Sequence, residues 1–385
     1  MNHILNDGIH GMLPREQMCS GAKKYWDFYN MVPGAGFFQR EFGYYSLEKW
    51  QREEGLPADA NLSQFFGFDP QGRVDVGALG WCEAGFCPVF EEKVLEDRGD
   101  YELVQDFAGR SVLYFKGRRN GFMPEYVDHP VKDMKSWEEK CRWRMDPNSP
   151  RRQADMDIYL PAAVEKAKQG MFVGQMVAGG YMYLRSLIGP EQLLYMFYDD
   201  PDVIHACMEQ WFTLADSVIA RHQQHLSFDE LFIGEDICYN HGPLISPDMI
   251  REFLMPYYQQ LLTNMRRRQI DKSRPIGFQV DTDGFCDPVI DLYRELGMTH
   301  MSPFEAASDC DVLRTARLYP DLRISGGVDK RILAQGKDAI DRMIDSIFPE
   351  MQKRGGYIPT CDHGVPEEVT LENYLHFRKR CLEFA

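Results

Sequence analysis

The sequence lacks several features that would assign it quickly to a protein class. No apolar run approaches the roughly 18 residues needed to span a bilayer, and residues 1–7 show no basic region followed by an apolar core, as a secretory leader would. The ten cysteines are dispersed without a Cys-x-x-Cys pair, which argues against a zinc ribbon or a disulfide scaffold. A formal net charge of -16 argues against a nucleic-acid binder. These absences favour a reduced cytoplasmic protein.

Nucleotide-binding motifs and domain linkers are also missing. The glycine-containing segments 34–36 and 177–180 complete neither a dinucleotide fingerprint nor a P-loop. No internal repeat or low-complexity tract divides the 385 residues, and 44% of them are hydrophobic, enough for a sizeable core. We therefore expect one domain over residues 1–385.

Short apolar runs that end in polar or charged residues recur along the second half of the chain. They lie at 172–175, 231–236, 276–283, 299–305, 322–329 and 356–363. Helical patterns separate most of these runs, and strands that alternate with helices predict a parallel sheet. The series predicts an α/β fold, a single (β/α)8 TIM barrel, in which catalytic groups lie at the carboxyl ends of the strands.

Two further patterns refine this prediction. Residues 88–116 read as hairpins, because turn residues at 97–100 and 109–110 separate short strand-like stretches. Hairpins are foreign to a plain barrel, so we expect them to form a lid or a side sheet. Ser246-Pro247-Asp248 predicts a helix start, with a hydroxyl cap, a proline in the first turn and an acid favoured by the helix dipole. Pro256 should kink the helix that follows.

Two strand ends carry groups that could bind a metal. Asp281 and Asp283 are two residues apart, so their side chains should point the same way, and Cys361 and His363 have the same spacing. Thiolate, imidazole and carboxylate together suit zinc, with room left for a substrate. The alternatives are that Asp283 belongs to an ordinary turn with the glycine after it, and that Cys361 is a buried thiol.

Other acids follow predicted strands. Glu235 and Asp236 are adjacent and could raise each other's pKa for acid–base work, or one could cap the next loop. Glu305 is expected to line the pocket. Asp329 follows two glycines, where the backbone can approach a ligand, or it caps the next helix.

The positions of three other polar residues also support predictions. Gln175 ends the first of the runs and is expected to contact substrate. His222 and His225 lie one turn apart on a helix, and we expect both on the surface.

From position 231 onward the chain resembles the uroporphyrinogen decarboxylase superfamily, which includes zinc-dependent methyltransferases that exchange methyl groups with corrinoid proteins. The segments that carry the resemblance are 234–236, 242–247 with Phe253 and 256–258, 281–284, 326–330, 355–359 and 362–366. Weaker matches are Trp50, 54–57 and 66–69. The resemblance implies a single (β/α)8 barrel but does not specify one reaction.

Departures from the family patterns bear on the reaction. The decarboxylases carry Arg-Gln-Ala-Gly-Arg on the first strand, whereas this chain has Gln39-Arg40-Glu41-Phe42-Gly43, with a single arginine and an added acid. Since arginines are the natural partners of carboxylates, a porphyrinogen with eight carboxylates would be poorly bound. Where the methyltransferases have a His-x-Cys pair and a later cysteine as zinc ligands, this chain has Asp281, Asp283 and Cys361.

The resemblance leaves two enzymatic hypotheses. The first is a methyltransferase that moves a methyl group between a small methylated compound or a thiol and a corrinoid protein. Asp281, Asp283 and Cys361 would hold zinc, His363 would support them, and Glu235 or Asp236 would carry protons; the cobalamin would lie on the partner. The second is a metal-free decarboxylase, a carboxy-lyase in which Asp281 stabilises a protonated ring nitrogen and Arg40 holds the carboxylate. A barrel that binds without catalysis fits the acid-rich rim least well.

Overall fold

The computed structural model describes residues 14–117, 124–272 and 274–385. The strands in this part of the chain are β1 Arg73–Leu79, β2 Lys93–Arg98, β3 Tyr101–Gln105, β4 Ser111–Phe115, β5 Glu125–Asp128, β6 Phe172–Ala178, β7 Glu230–Gly234, β8 Cys238–Tyr239, β9 Gly242–Pro243, β10 Gly277–Asp281, β11 His300–Phe304, β12 Arg323–Gly326 and β13 Tyr357–Ile358. The segment 1–7, expected to carry no leader, lies outside the described residues.

Helices precede, separate and follow the strands. The α-helices are α1 Ser20–Tyr29, α2 Leu47–Glu53, α3 Leu62–Phe65, α4 Met134–Ser136, α5 Pro150–Lys168, α6 Gly180–Ile188, α7 Pro190–Asp199, α8 Pro201–His222, α9 Pro247–Phe253, α10 Met255–Arg268, α11 Asp287–Glu295, α12 Val312–Leu318, α13 Lys330–Leu333, α14 Lys337–Arg354 and α15 Leu371–Leu382. Short 3-10 turns lie at Arg15–Gln17, Arg142–Met145 and Ala306–Ser308, and a π-helical turn at Trp137–Cys141. None of the helices described is long and apolar enough to cross a membrane.

Seven strands form one parallel sheet in the order β1-β6-β7-β10-β11-β12-β13. At least one helix lies in every crossover between consecutive strands of this sheet. All residues of β7 and β11 are buried, as expected for strands that are covered on both faces. Each of the six apolar runs forms a strand, and the predicted α/β barrel class is confirmed.

An extended segment of residues 37–44 lies near both edge strands. The backbone N–H of Cys361, just after β13, donates to Glu41 at 2.9 Å, and Tyr44 pairs in parallel with Val365. On the other side, the backbone N–H of Asp69, just before β1, donates to the carbonyl of Gln39 at 2.9 Å. This segment therefore contacts the chain beside both edge strands of the sheet.

The predicted hairpins form a separate antiparallel sheet in the order β2-β3-β4-β5. The structure extends this sheet beyond residue 116, because β5 pairs with β4. Arg110 attaches the sheet to the loop after β1: its guanidinium donates to Glu83 at 2.9 Å and to Asp106 at 2.7 Å, and it is buried. The hairpins therefore stand at the end of the barrel where β1 finishes.

The helix predicted to begin at Ser246 does so. The Ser246 hydroxyl accepts the backbone N–H of Met249 at 3.2 Å, and Pro247 lies in the first turn. The helix is broken at Leu254, and Pro256 lies in the first turn of α10. A proline there does not interrupt the hydrogen bonds of α10, because the first-turn N–H groups have no partner within their own helix.

The prediction that His222 lies on the surface is wrong, although His225 is exposed. The His222 ring is fully buried, with Nε2 at 2.8 Å from the Tyr159 hydroxyl and Nδ1 at 2.9 Å from Oε1 of Gln175. Burial lowers the pKa of His222 to about 3. One ring nitrogen is paired with α5 and the other with β6, so a neutral imidazole can be accommodated there.

We predict that His222 makes the protein acid-sensitive. Below about pH 6.5 the unfolded histidine binds a proton, whereas folded His222 stays neutral until about pH 3. Stability should therefore fall as the pH drops through this window, by up to about 1.4 kcal/mol per pH unit. In urea unfolding between about pH 7 and pH 4.5, His222→Gln should be less stable at neutral pH but show a shallower pH slope. His225→Gln serves as the control, and equal slopes for all three proteins would contradict the prediction.

Candidate active site

A cavity of about 400 Å³ lies inside the parallel sheet. It extends from Glu230, the first residue of β7, to Asp281, the last residue of β10. The apolar part of its wall is mainly aromatic, and the rings of Trp81 and Phe232 stack with centroids 5.2 Å apart. Polar groups line the rest of the wall: Arg40, Arg73, Asp75, Glu230, Gln279, Asp281, His300, Ser302, Ser325 and Thr360. Its volume is that of a site for a small organic molecule.

Asp281 is the acid at the upper end of this cavity. The Ser302 hydroxyl donates to it at 2.5 Å and accepts from the Gln279 amide at 2.7 Å. Burial raises the pKa of Asp281 to about 7; the hydrogen bond from Ser302 opposes the rise, and the charges of Asp283 and Asp236 add to it. A carboxyl group that titrates near neutrality can both accept and donate a proton at physiological pH.

A second group of polar side chains lies at the rim. His363 Nε2 is 3.1 Å from Oδ2 of Asp283, and this contact raises the pKa of His363. Ligand atoms of Glu305, Asp362 and His363 lie within 4.8 Å of one another. The Glu305 carboxylate is positioned by the backbone N–H of Gly284 at 2.8 Å. We call Asp283, Glu305, Asp362 and His363 the rim cluster.

The rim cluster fits a divalent cation. Imidazole and carboxylate are common zinc ligands and also suit harder cations. Nδ1 of His363 is buried without a hydrogen-bond partner, so this ring has an unused donor–acceptor atom inside the protein. Lys330, 2.9 Å from Oδ1 of Asp362, competes for one of the carboxylates. Glu305 and His363 are therefore the better ligands of the set.

The structure does not bring Cys361 into this cluster. In the described part of the chain, the groups of three or more ligand atoms that lie together are the one in the rim cluster and a second one, Cys286, Asp287 and Cys310. Cys361 is fully buried in the hydrophobic core with Cys381, and burial raises its pKa well above the usual range. The expected ligands Asp281, Asp283 and Cys361 do not form one of these groups; the chain bends after Cys361, and His363 lies against Asp283.

Glu235 and Asp236 have different environments. Glu235 is fully buried and accepts the backbone N–H of Tyr181 at 2.8 Å and the hydroxyl of Tyr258, so it holds neighbouring elements together. Burial raises the pKa of Glu235 to about 7. Asp236 is half-buried, adopts a φ of 42° and forms an ion pair with Arg185. Asp236 is therefore the member of the pair with access to the site.

The residues expected to bind substrate lie in different parts of the structure. Arg40 lines the cavity, and Glu305 belongs to the rim cluster. Gln175 is fully buried and hydrogen-bonds to His222 and to the carbonyl of Gly77, so it faces the helix layer and not the cavity. Asp329 caps α13 by accepting the backbone N–H of Arg331 at 3.0 Å, which is its alternative structural role.

Sequence reasoning missed several cavity residues. His300 and Ser302 both line the cavity from β11, and Arg73 and Glu230 form a buried ion pair at its lower end. The sequence does contain a signal for His300 and Ser302, because polar residues two positions apart in an otherwise apolar strand face the same side. The pairing of Arg73 with Glu230 spans 157 positions and has no local signature.

Comparisons with known proteins identify the sequence family. A sequence model of the family described as Uroporphyrinogen decarboxylase (URO-D) matches residues 150–384, more than half of the chain. No curated protein matches the sequence. Among solved structures, a methyltransferase from Methanosarcina mazei is similar with a TM-score of 0.47 and 12% identity, over 72% of this chain and 76% of that one. Xylanase B from Clostridium stercorarium F9 has a TM-score of 0.33 and 12% identity, over 57% and 75% of the two chains. Neither structural likeness is close enough to bear on the reaction.

We predict that Asp283 controls the protonation of His363. In chelator-treated protein, Asp283→Asn removes the hydrogen bond and the negative charge that stabilise the imidazolium, so the pKa of His363 should fall. The measurement is an NMR titration of histidine-labelled protein. Asp341→Asn, which removes the partner of His376 elsewhere in the fold, is the matched control and should leave His363 unchanged. An unaltered His363 titration in Asp283→Asn would contradict the assignment.

Proposed function

Because this chain belongs to the uroporphyrinogen decarboxylase (URO-D) family, we propose that it is a methyltransferase with a cation-assisted site. It moves a methyl group between a small methylated compound or a thiol, bound in the cavity, and the cobalamin of a corrinoid protein. The observation that carries the proposal is the rim cluster, in which ligand atoms of Glu305, Asp362 and His363 lie within 4.8 Å of one another.

Glu305, His363 and either Asp283 or Asp362 would hold the cation, and zinc is the ion we propose. When bound, zinc polarises the atom that carries or receives the methyl group, as a Lewis acid. Methyl loss leaves that atom with an additional electron pair, which needs a proton. Asp281 is suited to donate it, because burial raises its pKa to about 7 and the Ser302 hydroxyl fixes its position.

The cavity supports a small substrate. Its volume of about 400 Å³ and its aromatic wall favour a compact organic molecule, which the aromatic rings would contact. Arg40 also lines the cavity, and no carboxylate of the described residues lies within ion-pair distance of it. A negatively charged group on the substrate would be a suitable partner for this guanidinium.

Arg40 also supports the second candidate, a metal-free decarboxylase of a small acid. In that reaction Arg40 would hold the carboxylate, and Asp281, in its ionised form, would stabilise the positive charge of a protonated ring nitrogen on the substrate. This alternative gives no role to the rim cluster or to the unpartnered Nδ1 of His363. The methyltransferase is therefore the better proposal.

Uroporphyrinogen should not be decarboxylated efficiently. The cavity wall carries three acids, Asp75, Glu230 and Asp281. Its arginines, Arg40 and Arg73, are too few to offset eight substrate carboxylates, because Arg73 is already paired with Glu230 and Asp75. The check is a product analysis for coproporphyrinogen after incubation of the pure enzyme with uroporphyrinogen. Turnover comparable to that of a true uroporphyrinogen decarboxylase would contradict this expectation.

Methyl transfer should depend on the rim cluster and not on Cys361. We expect His363→Ala and Glu305→Gln to lose the zinc of the rim cluster and to reduce turnover by about 100-fold or more, since a Lewis-acid cation contributes several kcal/mol to the transition state. Melting temperatures should change little, because both side chains are only half-buried. The assay follows the visible spectrum of cobalamin while methylated amines, ethers and thiols are screened as donors.

Cys361→Ala is the matched control and should keep both zinc and activity. Loss of zinc in Cys361→Ala, with normal zinc in His363→Ala, would restore the ligand set expected from the sequence. A protein that binds no zinc and changes no cobalamin spectrum with any donor would favour the decarboxylase.

A further inference from the structure

A pair of cysteines lies beneath the two loops that carry part of the rim cluster. Cys286 ends the loop after β10, which contains Asp283, and precedes α11. Cys310 ends the loop after β11, which contains Glu305, and lies two residues before α12. The two sulfur atoms are 3.7 Å apart and both side chains are buried. Chain regions 24 residues apart thus meet through two thiols.

Asp287 completes a group of three ligands. A carboxylate oxygen of Asp287 lies within 4.8 Å of both sulfur atoms. Oδ1 of Asp287 is buried and has no hydrogen-bond partner, while Oδ2 accepts from Arg314 at 2.6 Å. A buried carboxylate oxygen without a partner is costly, so this atom needs a ligand to offset its desolvation.

The spacing of the sulfur atoms matches that of a metal dithiolate. With a zinc–sulfur bond of about 2.3 Å and tetrahedral angles, two coordinating sulfur atoms lie about 3.8 Å apart. The observed 3.7 Å agrees with this value and is far longer than the sulfur–sulfur bond of about 2.05 Å in a disulfide. Little movement of Cys286 and Cys310 would be needed to bind the ion.

We propose that Cys286, Cys310 and Asp287 bind a second divalent cation, zinc or a similarly thiophilic ion. Both thiols would lose their protons to solvent on binding. Two thiolates and one carboxylate carry three negative charges, the cation supplies two positive charges, and Arg314 beside Asp287 offsets the remaining one. Cys310 would give up its present contact with the carbonyl of Gly284 at 3.3 Å.

This second site shares no ligand with the rim cluster, so it does not depend on the proposed function. Its cation would link the loops after β10 and β11 and thereby hold Asp283 and Glu305 at a fixed separation. Supporting groups of this kind orient the residues in front of them without contacting substrate. We therefore assign the second cation a positioning role.

Cobalt(II) titration of the full chain tests the proposal. The protein is stripped with a chelator under a phosphine reductant, and cobalt(II) alone is added as the probe. We expect one bound equivalent to produce the near-ultraviolet absorption of thiolate-to-cobalt charge transfer. Cys286→Ala and Cys310→Ala should each lose this absorption and one equivalent of metal, whereas Cys207→Ala, a buried cysteine in α8, should keep both.

The variants also separate this proposal from the proposed function. His363→Ala should lose the metal bound by the rim cluster but keep the thiolate absorption. The two sites can therefore be tested independently. Zinc should also slow the oxidation of Cys286 and Cys310 by hydrogen peroxide, which would join them as a disulfide with release of two water molecules. Absence of thiolate absorption in the wild-type protein, or equal oxidation rates with and without zinc, would overturn the proposal. Both measurements use the wild-type protein, so a misfolded variant cannot explain either result.

Discussion

A buried carboxylate at the end of β7 fixes the part of the barrel that carries the site. Glu235 accepts the backbone N–H of Tyr181 in α6 and the hydroxyl of Tyr258 in α10, and the same hydroxyl accepts the backbone N–H of Gly180 at 2.5 Å. The backbone N–H of Glu235 donates to the carbonyl of Asp281 at 2.8 Å. Two strands and two helices therefore meet at one acid, and loss of its carboxylate would leave two buried donors, the Tyr181 N–H and the Tyr258 hydroxyl, without this partner.

This network explains local features that have no catalytic role. A side chain at Gly179 would come within 2.5 Å of the backbone of Glu235, so glycine is required by close packing and not by a nucleotide. The turn that follows gives Asp236 its positive φ of 42° and leaves it beside Arg185 at the site. In the proposed function the site is divided between the acid in the cavity, Asp281, and the rim cluster.

The sequence was most informative where local pattern decides the structure. Apolar runs bounded by polar residues identified each strand of the parallel sheet after residue 170, and Ser246 identified a helix start, because both depend on neighbours in the chain. Side-chain direction was less predictable. Strand alternation predicted that Cys361 and His363 face the same side. However, β13 ends at Ile358 and the chain bends soon afterwards, so the alternation of side chains does not continue to these residues. His222 was misassigned because its partner, Gln175, is 47 positions away.

We propose that the rim cluster, and not Cys361, binds the cation. Anomalous diffraction at the zinc absorption edge, from crystals of zinc-loaded protein, can locate the bound ion. We expect an anomalous peak within coordination distance of His363 and Glu305. A peak bonded to the sulfur of Cys361, or none near the rim of a fully active enzyme, would contradict it.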